Sequence, residues 1–191
     1  MSPAPVSAVA IGASAGAVQA LLRVLPPLPA DLPVPVLVVV HVPPGRANAL
    51  VSLFEARCRV AVKEAEDKEP ASPGTVYFAP ADYHLLVEKD GTLALSSDEP
   101  VNFSRPAIDV LLESAADAFG EGLVGIVLTG ANHDGAEGLR AVAAAGGIAI
   151  VQDPASASVP AMPAAALARC PGARVETLDG ITAFLVDLVP A

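Results

Sequence analysis

The sequence predicts an α/β fold: a doubly wound, mostly parallel sheet in a three-layer αβα arrangement, with an added antiparallel hairpin. Short apolar runs rich in branched side chains recur along the chain, and stretches with helical spacing alternate with them. One section breaks that rhythm, where Asp90-Gly91 marks a reversal between two further apolar runs.

The strand-like runs are 6–11, 34–40, 60–62, 124–128 and 148–151. They do not alternate polar and apolar residues, so they suit strands covered on both faces. Apolar side chains three and four apart predict helices over 18–25, 47–57, 106–119 and 136–145. Val76-Tyr77-Phe78 leads into 85–95, the predicted hairpin. Residues 26–35 form a proline-rich loop, the alanine content near the C-terminus suits ordinary helix, and no internal repeat is visible.

A chain of 191 residues with 53% hydrophobic and 17% charged side chains is too apolar for disorder and fits one domain over 1–191. Its formal net charge of -10, with no basic stretch, argues against a nucleic-acid partner. The same sign repels an acidic macromolecule, so an acidic substrate needs a locally basic entrance or a tethering partner. Cys58 and Cys170 are too few for a disulfide framework or a structural zinc site, and no metal or cofactor is expected. The N-terminus lacks the basic region of a signal peptide. The longest run of large apolar side chains, 36–40, is far below the roughly 20 residues that span a bilayer. A cytoplasmic location without membrane insertion is expected.

In a parallel sheet the C-terminal strand ends line one edge, where loops bring distant residues together. Ser14 follows the first strand within Gly12-Ala13-Ser14-Ala15-Gly16, whose small residues permit a tight turn that exposes a hydroxyl. His41 follows the second strand, ahead of Val42-Pro43-Pro44-Gly45, and is placed to take the Ser14 proton. Asp134, beyond the 124–128 strand, offers a carboxylate to hold the imidazole. Each residue also has a plainer reading: Ser14 as a helix cap, His41 as a hydrogen-bonded turn residue, and Asp134 with Asn132 as an Asx-turn. His133 competes with His41 but comes from the same loop as Asp134, and His84 reads as structural. The glycine loop alone is weak evidence for nucleotide binding, because the second strand ends in His41 rather than an acid. The order Ser14, His41, Asp134 also differs from the serine, acid, histidine order of α/β-hydrolases.

These motifs, together with Tyr77-Phe78-Ala79-Pro80-Ala81-Asp82-Tyr83-His84, Arg105-Pro106-Ala107-Ile108-Asp109-Val110-Leu111, Leu128-Thr129-Gly130, Gly146-Gly147, Gln152-Asp153-Pro154 and Met162-Pro163, resemble the catalytic domain of the chemotaxis CheB family. The resemblance runs from about residue 6 to residue 167. It implies a protein-glutamate methylesterase acting on methyl-accepting chemoreceptors, with glutamine deamidation in some members. By resemblance Ser14 is the nucleophile, His41 the base and then acid, Asp134 the orienting carboxylate, and the N–H groups of Ala15 and Ala131 the oxyanion donors. Arg105 either faces the substrate or pairs with Asp109 four residues on. Ala17 stands where the family loop continues with a second glycine, so a need for positive φ there predicts reduced activity. Asn102-Phe103-Ser104 also departs in detail, leaving substrate preference near that loop open. The short segment before Ser14 leaves no room for a receiver domain, predicting a stand-alone esterase controlled by expression, localisation or a separate response regulator. The other readings are a catalytically weak signalling or interaction module of the same fold, and a small-molecule esterase or amidase.

Overall fold

The computed structural model describes residues 4–41, 43 and 48–188. Val42, Pro44 and Gly45 of the proline turn, and the first residue of the helix predicted from 47, lie outside that range.

The first strand, β1 (Ala8–Ala13), leads into helix α1 (Ala17–Val24), then β2 (Val36–Val40), α2 (Asn48–Glu55), β3 (Ala61–Glu64) and β4 (Thr75–Phe78). The hairpin β5 (His84–Val87) and β6 (Leu93–Ser96) follows, then α3 (Ile108–Phe119), β7 (Leu123–Val127), α4 (Ala136–Ala144), β8 (Ile148–Gln152), α5 (Ala161–Arg169), β9 (Arg174–Glu176) and α6 (Leu178–Val186). The main sheet has seven parallel strands in the order β3-β4-β2-β1-β7-β8-β9. From β1 the chain winds outward through β2, returns past β1, and winds the other way from β7. The loops after β1, β2 and β7 therefore meet where the winding reverses, the place where such sheets bind ligands.

Side-chain alternation divides the core into two. Val9, Ile11, Val36 and Val38 pack with α1, α2 and α6, whereas Ala8, Ala10, Leu37 and Val39 pack with α3, α4 and α5. This is the predicted three-layer arrangement. The second face of β1 carries small residues because α3 lies close to it. A Cβ built on Gly12 would stand 2.2 Å from Cγ2 of Ile108, so only glycine lets the start of α3 reach the end of β1.

The hairpin pairs as a separate two-stranded antiparallel sheet and packs against α3. The Val87 N–H donates to Ser114 Oγ (3.1 Å), and His84, buried as expected of a structural residue, joins the Glu99 carbonyl to the Ala107 N–H. Among the described residues no helix is long and apolar enough to cross a membrane.

Candidate active site

Ser14 leaves β1 with its N–H bonded to the Thr129 carbonyl (2.9 Å), while its own carbonyl accepts from Ala17 N–H. Gly16, at φ 82°, makes the reversal into α1, and no side chain caps that helix. The Ser14 hydroxyl is thus not used as a cap; Oγ lies 3.0 Å from His41 Nδ1. Thr129 holds the turn, its Oγ1 donating to the Ala15 carbonyl (2.8 Å) and accepting from Val159 N–H (2.9 Å). Ala17 has no positive φ and begins α1 buried, so alanine fits there without strain. The family's second glycine is not needed in this turn.

His41 extends the β1–β2 ladder through its N–H to the Ala13 carbonyl (3.3 Å), which sets the ring at the sheet edge. Its Nε2 lies 2.7 Å from Asp134 Oδ2. A neutral ring with its proton on Nε2 donates to Asp134 and leaves the Nδ1 lone pair facing the Ser14 hydroxyl. Asn132 Nδ2 approaches Nδ1 at 3.4 Å, and its Oδ1 accepts from Asp134 N–H (3.0 Å). The Asx-turn therefore belongs to Asn132 and frees the Asp134 carboxylate. His133 is exposed and takes no part.

Asp134 is fully buried and joined to four groups. Besides His41, its carboxylate accepts from the N–H groups of Ile108 (2.7 Å) and Asp109 (3.0 Å), at the start of α3, and from Asn102 Nδ2 (2.8 Å). Unsatisfied N–H groups and a positive helix end suit an anion there. Burial pushes Asp134 up, yet the hydrogen bonds from His41, Ile108, Asp109 and Asn102 together hold it below the ordinary aspartate value.

A second buried carboxylate, Asp109, accepts from Gly135 N–H (3.0 Å), Gly138 N–H (2.7 Å) and Asn102 Nδ2 (2.7 Å). Burial raises its pKa against the bonds from Gly138 and Asn102, and the nearby Asp134 charge raises it further. The Asn102 amide thus joins two like charges, a role the sequence did not disclose. Asn102 and Phe103 stand at φ 52° and 62° in a turn closed by paired bonds between Val101 and Ser104 (3.1 and 2.9 Å). Asparagine tolerates that conformation, whereas for phenylalanine it costs about 1 kcal/mol or more.

Arg105 does not pair with Asp109. It precedes α3, so no helical spacing relates the two; its guanidinium binds Asp82 (2.7 and 3.0 Å) and the carbonyls of Ser97 and Asp98. It lines a cleft of about 410 Å³ with His41, Pro43, Asp82, Phe103 and Ser104. The N–H groups of Ala15 and Ala131 donate to no acceptor among the described residues, and both residues are exposed.

A hydroxyl, an imidazole and a buried carboxylate in one line at the reversal point of a three-layer α/β sheet define the class, a serine-dependent ester hydrolase. The chain belongs to the CheB methylesterase family, whose model matches residues 9–185. The Thermotoga maritima CheB methylesterase catalytic domain superposes with a TM-score of 0.91 at 33% identity, covering 97% of this chain and 100% of that one. A Leptospira interrogans relative is 42% identical over 181 residues, 95% of this chain and 94% of its own. The protein-glutamate methylesterase/protein-glutamine glutaminase of Symbiobacterium thermophilum is 43% identical over 155 residues, 81% of this chain and 43% of the relative. The chain thus spans nearly all of one relative and less than half of the other.

Proposed function

We propose that this chain hydrolyses glutamyl γ-methyl esters on chemoreceptor proteins through Ser14, His41 and Asp134. The observation that carries this is the unbroken line of Ser14 Oγ, His41 Nδ1, His41 Nε2 and Asp134 Oδ2 at 3.0 and 2.7 Å.

His41 Nδ1 takes the Ser14 proton as Oγ attacks the ester carbonyl, and Asp134 stabilises the imidazolium that forms. The tetrahedral oxyanion is received by the N–H groups of Ala15 and Ala131. As the C–O bond breaks, methoxide takes the proton from His41 and leaves as methanol, with the glutamyl acyl group on Ser14. Water, deprotonated by His41, attacks that acyl group; Ser14 regains its proton and the free carboxyl departs. A glutamine side chain follows the same path with ammonia as the first product. Arg105 is too fully engaged by Asp82 and two carbonyls to serve as an open anion receptor, so its part is to shape the cleft wall. The two cores share one sheet, which supports reading the chain as a single catalytic unit.

The test is methanol release from a methylated chemoreceptor fragment by the unmodified chain and by Ser14→Ala. Loss of at least about 10⁴-fold in turnover, with unchanged unfolding, is expected. Equal rates for the two proteins would reject the mechanism.

A further inference from the structure

The turn at 101–104 carries Phe103, whose ring is wholly exposed, 101% relative to an extended reference, at the mouth of the cleft. Among the described residues nothing covers the ring. The other phenylalanine side chains, Phe54, Phe78, Phe119 and Phe184, sit in or against the two cores, and the left-handed backbone at Phe103 is one that a bulky residue adopts at a cost. Such strain persists only where the surroundings enforce it. Here they do: Val101 and Ser104 close the turn by two hydrogen bonds, and Asn102 ties it to the buried carboxylates of Asp109 and Asp134. The ring is therefore held out on a rigid mount instead of a loose loop.

We propose that Phe103 is a docking point for the polypeptide that flanks the reacting glutamyl ester, and so selects a protein substrate over a small ester. This rests on the methylesterase reading above. The occupant is the substrate's own polypeptide segment, because Phe103 is continuous with the cleft that contains His41, and because a methylated glutamyl side chain fills only a fraction of about 410 Å³. Charge does not supply the attraction. The chain carries a net -10, and Arg105 in the cleft wall is neutralised by Asp82. An apolar contact, added to a neutral ester, avoids that repulsion. An aromatic side chain with only two rotatable bonds, carried on a backbone that is tied in place, is the usual anchor of such contacts.

The experiment compares the unmodified chain with Phe103→Ala, Phe103→Gly and Phe103→Trp on two probes, a methylated chemoreceptor fragment and p-nitrophenyl acetate. For Phe103→Ala, KM on the protein is expected to rise about tenfold with little change in kcat, and kcat/KM on the small ester to change far less. Phe103→Gly relaxes the backbone and is expected to show the same loss, which separates the ring from the strain. Phe103→Trp is expected to retain the unmodified KM within about threefold. Equal losses on both probes, or no loss on the protein, would overturn the proposal. An unmodified chain that hydrolyses neither probe overturns the methylesterase reading itself, and this proposal with it.

Discussion

Replacing Asn102 with glycine keeps the left-handed backbone, φ 52°, without steric cost and removes only the amide. That amide directs its two protons to Asp109 Oδ2 at 2.7 Å and Asp134 Oδ1 at 2.8 Å. A hydrogen bond to a charged group contributes about 1.5–3 kcal/mol, and both carboxylates are buried, so two such losses cost about 3 kcal/mol or more at neutral pH. The effect depends on pH with a definite sign. Asn102 lowers both carboxylates, so its removal raises both folded pKa values. The folded variant therefore binds these protons at a higher pH than the folded unmodified chain does, which favours the variant relative to it as pH falls from neutral toward and below the ordinary aspartate value of about 3.9. The deficit against the unmodified chain is therefore largest at neutral pH and shrinks on acidification. Asp134 also loses one of the bonds that aim it at His41, and turnover is expected to fall about tenfold or more. Urea unfolding at two pH values and methanol release measure all three effects. A deficit under about 0.5 kcal/mol at neutral pH, or one that grows in acid, would refute the reasoning.

Gly12→Ala places a methyl group 2.2 Å from Ile108 and forces the start of α3 away from β1; a loss of about 1–3 kcal/mol in urea unfolding is expected, with activity falling because Asp134 is bonded to that helix start. Thr129→Val keeps the shape of the side chain but leaves the Ala15 carbonyl and Val159 N–H without their partner; roughly 1–3 kcal/mol of stability and about tenfold in kcat should be lost, with KM for the small ester little changed.

The strands that carry Ser14, His41 and Asp134 were legible because parallel strands buried on both faces leave continuous branched apolar runs, and their C-terminal ends share an edge whatever the order of the helices. The hairpin was legible for another reason: Asp90-Gly91 announces a reversal, and Thr92 N–H indeed bonds to Asp90 Oδ1 at 3.0 Å. That hairpin forms its own sheet, which no local pattern reveals. β9 left no trace in the sequence because Arg174-Val175-Glu176 has a single apolar residue, and that one is 45% exposed. The start of α6 did carry a signal, since the Thr177 side chain accepts from Gly180 N–H in the manner of an ordinary N-cap. The Asn102 link to Asp134 spans 32 residues and two elements, and composition and spacing are blind to it. Of the two readings open for Arg105, the pair with Asp109 fails because four-residue spacing has meaning only inside a helix, and α3 begins at Ile108.

Three of the four groups that hold the Asp134 carboxylate belong to scaffolding: two are the opening amides of a long helix and one is a turn amide. Inactivation and unfolding are consequently entangled at this position. Asp134→Asn or Asp134→Ala disturbs how α3 begins as well as how the imidazole is aimed, whereas Ser14, whose hydroxyl is bonded to His41, can lose its oxygen with the frame left standing. A clean dead enzyme for trapping bound receptor is made at the serine. By the same constraint, inheritance of this fold without its chemistry is easier through drift at Ser14 than at the carboxylate.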